Sequence, residues 1–373
     1  MSKAFKGVAA LAAVGAIVLA GCSTDRDGGE PAASGTTGAT GDSGVCIEEG
    51  AAIGVALPQK TSENWVLAEQ LFNDGLTEAG FEPIVQFGNS GVTEQQNQID
   101  AMVEQDAQVI VVGAIDGSQL GTQLESAKES GASVIAYDRL VKNTEAVDAY
   151  IAFDNYKVGV LQGEALLQGL AERKGEGPYN IELIAGSADD ANSIPFFEGA
   201  MSVLQPKIDD GTLNIVSGQN TFEQAATDGW QAENAQTRMD TILSGSYSGD
   251  TELDGVLSPN DTLARAALTS VDQAGKDTPV ITGQDSEVES VKSIVAGEQY
   301  STIYKDTREL VAQTIASIEA LAACGEIPVN DTEQYDNGVK IVPAYLLEPK
   351  IVTQDNAAEV YADDSTLGPL TEG

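Results

Sequence analysis

Short apolar runs alternate with longer amphipathic segments along most of this chain, and this alternation constrains the fold more than any other feature. The predicted strands of the first half are 52–57, 83–87, 109–113, 132–139 and 150–153. The predicted helices between them are 64–80, 93–105 and 119–130. Strands and helices that alternate at this spacing form βαβ units with right-handed crossovers, so the pattern predicts a parallel sheet.

The same alternation restarts after a predicted helix at 155–173. The later predicted strands are 180–185, 213–216, 253–257, 279–283 and 299–304. The later predicted helices are 194–204, 232–243, 262–274, 288–296 and 307–323. Because the pattern occurs twice, the sequence predicts an α/β fold of two Rossmann-like, doubly wound parallel-sheet lobes.

Residues 1–21 have the pattern of a signal peptide. Two lysines precede an apolar run at 8–20, which is too short to span a bilayer comfortably. The run ends in LAGC at 19–22, which resembles a bacterial lipobox, in which the cysteine becomes the lipidated first residue of the mature protein. We therefore expect lipid attachment at Cys22. The alternative is an ordinary signal peptide with Cys22 as an unmodified thiol.

Residues 22–45 consist mainly of Gly, Ser, Thr, Ala and Asp, and they offer almost nothing to bury. Such a composition predicts a flexible tether. No later stretch of the sequence is long and apolar enough to span a bilayer. We therefore expect a globular head outside the cytoplasm, held at the cell membrane by the N-terminal lipid alone.

The charge balance and the absence of histidine exclude several functions. The chain has 19 basic and 58 acidic residues; loss of the two signal-peptide lysines leaves 17 basic residues against the same 58 acidic ones, a net charge of −41. Such a surface repels nucleic acid and anionic lipid. Without histidine there is no Ser-His-Asp triad, no usual Cys-His pair and no HExxH zinc site. Glycoside hydrolysis by paired carboxylates stays open, because it needs no histidine.

The common loops for cofactors and metals are also missing from the sequence. No GxGxxG follows a predicted strand, and no GxxxxGK[ST] occurs. No calcium loop of the DxDxDG type is present either. We therefore expect no cofactor, no metal site and no catalytic residue.

Cys46 and Cys324 remain once Cys22 is assigned to the lipid. An even pair of cysteines outside the cytoplasm favours a disulfide. Cys46 precedes the first predicted strand and Cys324 follows the predicted helix 307–323, so both are expected at the side of one lobe away from the ligand. The alternative is two free thiols.

Polar groups follow many of the predicted strands, where parallel sheets hold their ligands. These strand-end segments are 58–65, 138–139, 186–192, 258–261, 283–285 and 304–306, and Trp230 occupies a loop of its own. Carboxylates accept hydrogen bonds from sugar hydroxyls, whereas Arg and Lys donate to them. An indole covers the C–H face of a pyranose. This set of side chains therefore favours an uncharged, polyhydroxylated ligand.

Each of these groups also has a structural interpretation. Asp261, Asp306 and Ser193 suit the caps of the helices that follow them. The two tryptophans suit a hydrophobic core, and Asp138 with Arg139 suits a surface ion pair of little energetic value. The recurrence of such groups on one side of two predicted sheets favours a binding site.

Longer segments resemble a family of sugar receptors. They are AYDRL, FDNYKVGVLQ, IELIAGSADDAN, FFEGAMSVLQPKIDDG, AQTRMD, LSPNDTLA, TGQDSEVESVKSIVAGEQYSTIYKDTREL and VPAYLLEPKIVT. These segments resemble the multiple-monosaccharide receptors of the ChvE type and the xylose-binding proteins, which are type I periplasmic binding proteins that feed sugar ABC transporters. The resemblance implies two lobes joined by three hinge segments, with the sugar in the cleft between them.

The resemblance also implies where the lobes begin and end. The chain would cross between them near 153–155, 305–306 and 342–343. The N-terminal lobe would comprise 46–154 and 306–341. The C-terminal lobe would comprise 155–305 and 342–373.

Carried over residue by residue, the resemblance implies that Asp138 and Arg139 hold ring hydroxyls and that Trp230 stacks on the sugar. The implied sugar-binding residues are Lys60, Asn64, Trp65, Asp138, Arg139, Asp190, Asn192, Trp230, Asn260, Asp285 and Lys305.

Two positions depart from the family pattern. Asn64 stands where an Arg is common, and Ala191 stands in place of an Asn. Loss of an Arg removes a two-pronged donor. The preferred sugar therefore stays open among xylose, glucose, galactose, arabinose and fructose.

Three functions follow as hypotheses. The first is a monomeric, lipid-anchored receptor that delivers a monosaccharide to the permease of an ABC importer. The second is a sensor subunit that presents sugar to a chemotaxis or two-component receptor. The third is a surface glycosidase that uses Asp138 or Asp190 with Asp285. The resemblance implies either of the first two, which the sequence alone does not separate, and we expect the first.

Overall fold

The computed structural model describes residues 46–60 and 62–372, and ten of its twelve strands coincide with the predicted apolar runs of the sequence. The strands are β1 (Ala52–Leu57), β2 (Glu82–Phe87), β3 (Val109–Val112), β4 (Ser133–Tyr137), β5 (Ala149–Phe153), β6 (Tyr179–Leu183), β7 (Leu213–Ile215), β8 (Gly255–Leu257), β9 (Val280–Ile281), β10 (Ser301–Tyr304), β11 (Ala344–Leu347) and β12 (Lys350–Thr353). The predicted signal peptide, the lipidation at Cys22 and the tether at 22–45 lie outside the described residues.

The helices follow the strands as the alternation predicted. They are α1 (Glu63–Glu78), α2 (Val92–Glu104), α3 (Gly121–Glu129), α4 (Asn155–Lys174), α5 (Ser193–Asp209), α6 (Phe222–Ala225), α7 (Ala232–Ser246), α8 (Asp261–Gln273), α9 (Val288–Ala296), α10 (Thr307–Ala322) and α11 (Ala357–Val360). Among the described residues, none of the helices is both long and apolar enough to cross a membrane.

Six strands form one parallel sheet in the order β11-β5-β4-β3-β1-β2. Helices cover both faces, because strand residues alternate between two apolar layers. On one face Ile53 and Val55 pack in a cluster with Phe72 of α1 and Leu310 of α10. The other face packs against α2 and α3, where Met102 is fully buried. This sheet with its helices is called the six-stranded half below.

The remaining strands form two smaller sheets. One is parallel, in the order β7-β6-β8-β9, with α4 and α5 on one face and α7 and α8 on the other. The other is the antiparallel pair of β10 and β12. These sheets with their helices are called the four-stranded half. The predicted α/β class with doubly wound parallel sheets is thereby confirmed.

The chain passes between the two halves three times, and one predicted passage needs correction. One passage follows β5, which ends at Phe153, and another follows β10, which ends at Tyr304. The third lies between β11 and β12, at 348–349, and not at 342–343. The reason is that β11 pairs with β5, with Ala344 opposite Tyr150, so this strand extends the six-stranded sheet. The boundary expected at 341 therefore assigned Ala344–Leu347 to the wrong lobe.

A disulfide joins Cys46, ahead of β1, to Cys324, just beyond α10. The bond links positions 278 residues apart in the sequence. Because α10 packs against α1 in the six-stranded half, the bond fixes the start of the described chain to that half. A cross-link over so long a separation chiefly restricts the unfolded chain.

We predict that replacing both cysteines by serine (C46S with C324S) lowers the free energy of unfolding by about 2–5 kcal/mol, because the unfolded chain regains its freedom. Denaturant titration with and without a thiol reductant measures the effect. Reductant should destabilise the unaltered protein to the level of the double variant and leave the variant unchanged. Equal stability of the two proteins under oxidising conditions would contradict the prediction.

Candidate functional site

One cavity lies where the carboxyl ends of strands from both halves meet. All the residues proposed from the sequence except Lys60 line it. The first turn of α1 and the loop after β4 supply those of the six-stranded half, and the segments after β6, β8, β9 and β10 supply most of those of the other half. The fold therefore brings ten of the eleven proposed residues together around one cavity.

Lys60 is the exception, and its proposed role in the site needs correction. Its Nζ lies 2.8 Å from a carboxylate oxygen of Glu69 in α1 and 4.3 Å from the centre of the Phe87 ring. These two contacts hold the ammonium on the outside of the six-stranded half, where the lysine side chain is 43% exposed.

The first charged pair of the cavity joins the two halves. Nε of Arg139 lies 3.0 Å from Oδ2 of Asp190, and both side chains are nearly buried. Nη1 of Arg139 also donates to the carbonyl oxygen of Ala114 at 3.0 Å. Nε1 of Trp230 donates to the same Asp190 oxygen at 3.1 Å. The guanidinium lies 5.3 Å from the Trp65 ring, within cation–π range.

The second charged cluster is centred on Lys305. Its Nζ lies 3.2 Å from Oδ1 of Asp285 and 3.9 Å from Oδ1 of Asp138. Burial alone would lower the pKa of Lys305, but the carboxylates of Asp285 and Asp138 outweigh it and raise that pKa. Lys305 therefore stays charged and links carboxylates of both halves.

Burial acts in the opposite sense on the aspartates of these clusters. It raises the pKa of Asp190, against the opposing effect of Arg139. It also raises the pKa of Asp285, against the opposing effect of Lys305. Carboxylates with such raised pKa values are common at functional sites, because binding and catalysis place charged groups where burial disfavours the charge.

Hydrogen bonds from both halves hold the backbone of Asp138. Its carbonyl oxygen accepts from the hydroxyl of Tyr150 at 2.7 Å and from Nδ2 of Asn192 at 2.8 Å. Nδ2 of Asn155 in turn donates to the Tyr150 oxygen at 3.0 Å. Burial raises the pKa of Tyr150 well above its usual range, so the phenol keeps the proton that it donates.

Three residues of the cavity have left-handed backbone conformations. The φ angles are 60° at Asp138, 55° at Trp230 and 94° at Asp285. Side chains other than glycine seldom adopt such angles, and they persist where the surroundings enforce them. The described residues include seven non-glycine residues with positive φ, and three of these seven line the cavity.

Comparison with known proteins assigns the family. A model described as "Periplasmic binding protein domain" matches residues 53–327. The chain belongs to this family. It is 45% identical over 316 residues to the multiple sugar-binding periplasmic receptor ChvE of Rhizobium radiobacter, an alignment that covers 83% of this chain and 89% of the relative.

Further relatives of this periplasmic binding protein agree in length and fold. The D-xylose-binding periplasmic protein of Escherichia coli K12 is 33% identical over 313 residues, covering 84% of this chain and 89% of the relative. A solute-binding protein of an ABC transporter from Clostridium phytofermentans, solved with bound β-D-glucose, superposes with a TM-score of 0.82 and 40% identity. That match covers 86% of this chain and all of the solved one.

The structure adds cavity residues that sequence reasoning missed. They are Ser62, Tyr137, Phe153, Phe196, Gln284, Thr307 and Leu310. Tyr137 and Gln284 adjoin the proposed residues Asp138 and Asp285, and that adjacency is the signal that could have found these two. The sequence gives no such signal for Phe153 and Phe196, because an apolar phenylalanine predicts a position in the hydrophobic core.

The expected helix caps are confirmed at only one position. The carboxylate of Asp306 caps α10 by accepting from the backbone nitrogen of Arg308 at 2.9 Å. The cap of α8 is Asn260 and not Asp261, since Oδ1 of Asn260 accepts from the backbone nitrogen of Leu263 at 2.9 Å. Ser193 is the first residue of α5 and not its cap.

Gly186 leaves the space that the Trp230 ring occupies in the cavity wall. A Cβ atom at position 186 would lie 2.2 Å from Cζ2 of Trp230, far inside van der Waals contact. Only glycine at this position lets the indole lie over the loop that follows β6 and reach Asp190.

We predict that Gly186→Ala displaces the Trp230 indole and lowers the free energy of unfolding by about 1–3 kcal/mol, the usual effect of overpacking. The chain has two tryptophans, and both line the cavity, so intrinsic fluorescence reports the displacement directly. Gly245→Ala in α7 is the matched control, because a Cβ there meets open space. Unchanged emission and stability in Gly186→Ala would contradict the prediction.

Proposed function

We propose that this protein is an extracytoplasmic solute-binding protein that captures a neutral monosaccharide in the cavity and delivers it to the permease of an ABC importer. The observation that carries the proposal is the convergence of three carboxylates, two cations and two indoles from both halves on one cavity. Relatives named for binding several sugars or xylose, and a similar structure with bound glucose, support it.

The chemistry of the cavity fits a neutral sugar. A hydroxyl donates to a carboxylate and accepts from a guanidinium or an ammonium, so each of these groups gains a partner without a new charge. The carboxylates of Asp138, Asp190 and Asp285 already outnumber the cations Arg139 and Lys305. An anionic ligand would add a further uncompensated negative charge in a buried place.

The proposed role includes no catalytic step. The carboxylate of Asp190 is held by Arg139 and Trp230, and that of Asp285 by Lys305. Groups engaged in this way position a ligand. A glycosidase would reveal itself by releasing product from a nitrophenyl glycoside, which we do not expect.

The position of the protein in the cell is part of the same proposal. We propose removal of residues 1–21, lipid attachment at Cys22 and a tether at 22–45 that lets a monomeric head work above the membrane. The apolar run that ends in LAGC supports the anchor, and the small polar residues after it support the tether.

Calorimetric titration of the ligand-stripped protein with a panel of pentoses, hexoses and one disaccharide tests the function. One-to-one binding of one or a few monosaccharides is the expected result and would name the cargo. Absence of heat and of any change in tryptophan fluorescence across the whole panel would overturn the proposal. Replacing Asp285 by Asn should weaken the binding, since hydrogen bonds to charged groups contribute about 1.5–3 kcal/mol.

We predict that acidification abolishes sugar binding before it unfolds the protein. Burial raises the pKa of Asp190 and of Asp285 above the ordinary value of 3.8. Ionised carboxylates accept stronger hydrogen bonds from sugar hydroxyls than protonated carboxyls do, so the dissociation constant should rise as the pH falls while it is still above 3.8. A pKa that is raised in the folded state means that protonation of these two groups favours folding, so they do not destabilise the fold in that interval.

Titration calorimetry and thermal unfolding, run in parallel from neutral pH downward, measure the two effects. Asp190→Asn should bind more weakly at neutral pH and show a flatter pH dependence, because one of the two titrating groups is gone. An affinity that stays constant until the protein unfolds would contradict the prediction.

A contact at the rim of the cavity also joins the two halves. Oε2 of Glu63, the first residue of α1, accepts from the backbone nitrogen of Val288, the first residue of α9, at 3.0 Å. The carboxylate thus lies at the positive end of α9, where a negative charge is favourable. Separation of the two halves would break this contact.

We predict that Glu63→Gln shortens the residence time of the bound sugar roughly two- to fivefold, because charge at a helix end contributes about 0.3–1 kcal/mol. Stopped-flow tryptophan fluorescence measures the dissociation rate. Glu78→Gln, which changes an exposed carboxylate at the other end of α1, is the control and should have no effect. The difference between the variants should shrink at high salt; equal dissociation rates at low salt would contradict the prediction.

A further inference from the structure

Asp261 is a fully buried carboxylate directly after the cavity residue Asn260, and the binding chemistry described above does not use it. Three donors surround it. Oδ1 accepts from Nε2 of Gln299 at 2.8 Å, and Oδ2 accepts from the backbone nitrogen of Glu287 at 2.9 Å and from the hydroxyl of Thr302 at 3.0 Å. Burial, together with the nearby Glu287, raises the pKa of Asp261 well above its usual range.

The donors show what Asp261 holds. The segment 283–287 follows β9 and carries the cavity residues Gln284 and Asp285. The backbone nitrogen of Asp261 donates to the carbonyl oxygen of Gln284 at 3.0 Å. With the contact to Glu287, Asp261 binds this segment on both sides of Asp285.

Gly283, the first residue of the segment, packs against the Asp261 carboxylate. A Cβ atom at Gly283 would lie 2.0 Å from Oδ1 of Asp261 and 2.5 Å from Nε2 of Gln299. Glycine at this position therefore lets the backbone approach the carboxylate more closely than any other residue would.

The segment needs such support because its backbone is strained. Asp285 has a φ of 94° and Ser286 a φ of 52°, both in the left-handed region. The backbone nitrogen of Ser286 donates to the hydroxyl oxygen of Thr302 at 3.2 Å, and that hydroxyl donates to Asp261. A strained conformation of this kind persists only where its surroundings enforce it.

The geometry points to Asp261 as a positioning residue of the sugar site: it fixes the segment 283–287 so that Asp285 meets the sugar and Lys305. This inference rests on the proposed function. A carboxylate suits the task because all three partners donate, whereas an amide of the same shape would turn an NH2 group toward one of them.

The test is a double-mutant cycle on the whole protein, with the monosaccharide that binds the unaltered protein most tightly. Asp261→Asn should lower the affinity about tenfold or more, mainly through faster dissociation, since a buried donor is left unpaired. In the Asp285→Asn background the same change should lower the affinity less than about twofold, because Asp261 acts through Asp285. A purely structural role would give equal losses in both backgrounds and would overturn the inference.

A matched control separates positioning from general destabilisation. Glu182 is a fully buried carboxylate of β6 in the same half, hydrogen-bonded to Tyr247 and Ser217. Glu182→Gln should lower the unfolding temperature and leave the affinity unchanged; an equal loss of affinity in this variant would overturn the inference.

Thr302→Val gives a second route if Asp261→Asn does not fold. It removes a donor to Asp261 and the acceptor of the Ser286 nitrogen, and it should weaken sugar binding with the same dependence on Asp285. Sugar binding by the unaltered protein with no effect of either variant would overturn the positioning role alone. Absence of sugar binding by the unaltered protein would overturn the proposed function as well.

Discussion

The pairing of buried charges across the cavity is the interaction on which the site depends. Arg139 meets Asp190 and Lys305 meets both Asp138 and Asp285, so each cation comes from one half of the molecule and contacts a carboxylate of the other. Buried ion pairs of this kind contribute little net stability, since desolvation offsets much of the attraction. These ion pairs mainly fix the orientation of the charged groups. Each group can then replace part of its contact with the opposite charge by a hydrogen bond to a hydroxyl.

The order of the strands explains how such a site forms. Parallel strands present their carboxyl ends at one edge of a sheet, so every loop after a strand delivers its side chains to the same place. Two such edges facing each other supply groups from opposite sides. This arrangement places three residues of the cavity in the left-handed region of backbone conformation. Hydrogen bonds around Asp138 and Asp285 stabilise two of them.

Much of this could be predicted from the sequence, for physical reasons. Buried parallel strands must be apolar throughout, so runs such as Val109–Val112 are visible without a structure. Strands β11 and β12 were missed because they are short and lie near Pro343 and Pro349, which usually indicate loops. Lys60 was misplaced because its partner Glu69 lies two turns along α1, and a strand-end argument does not consider helix faces. The role of Asp261 depends on contacts with distant residues such as Gln299, which only the fold brings together.

The disulfide determines which half of the molecule resists a pull on the start of the described chain. Any pull that arrives through the chain ahead of Cys46 passes by way of Cys324 into α10, which packs on the sheet of the six-stranded half. The load is therefore borne by one half, and the other half carries none of it. The three chain passages that lead to the four-stranded half lie outside this load path.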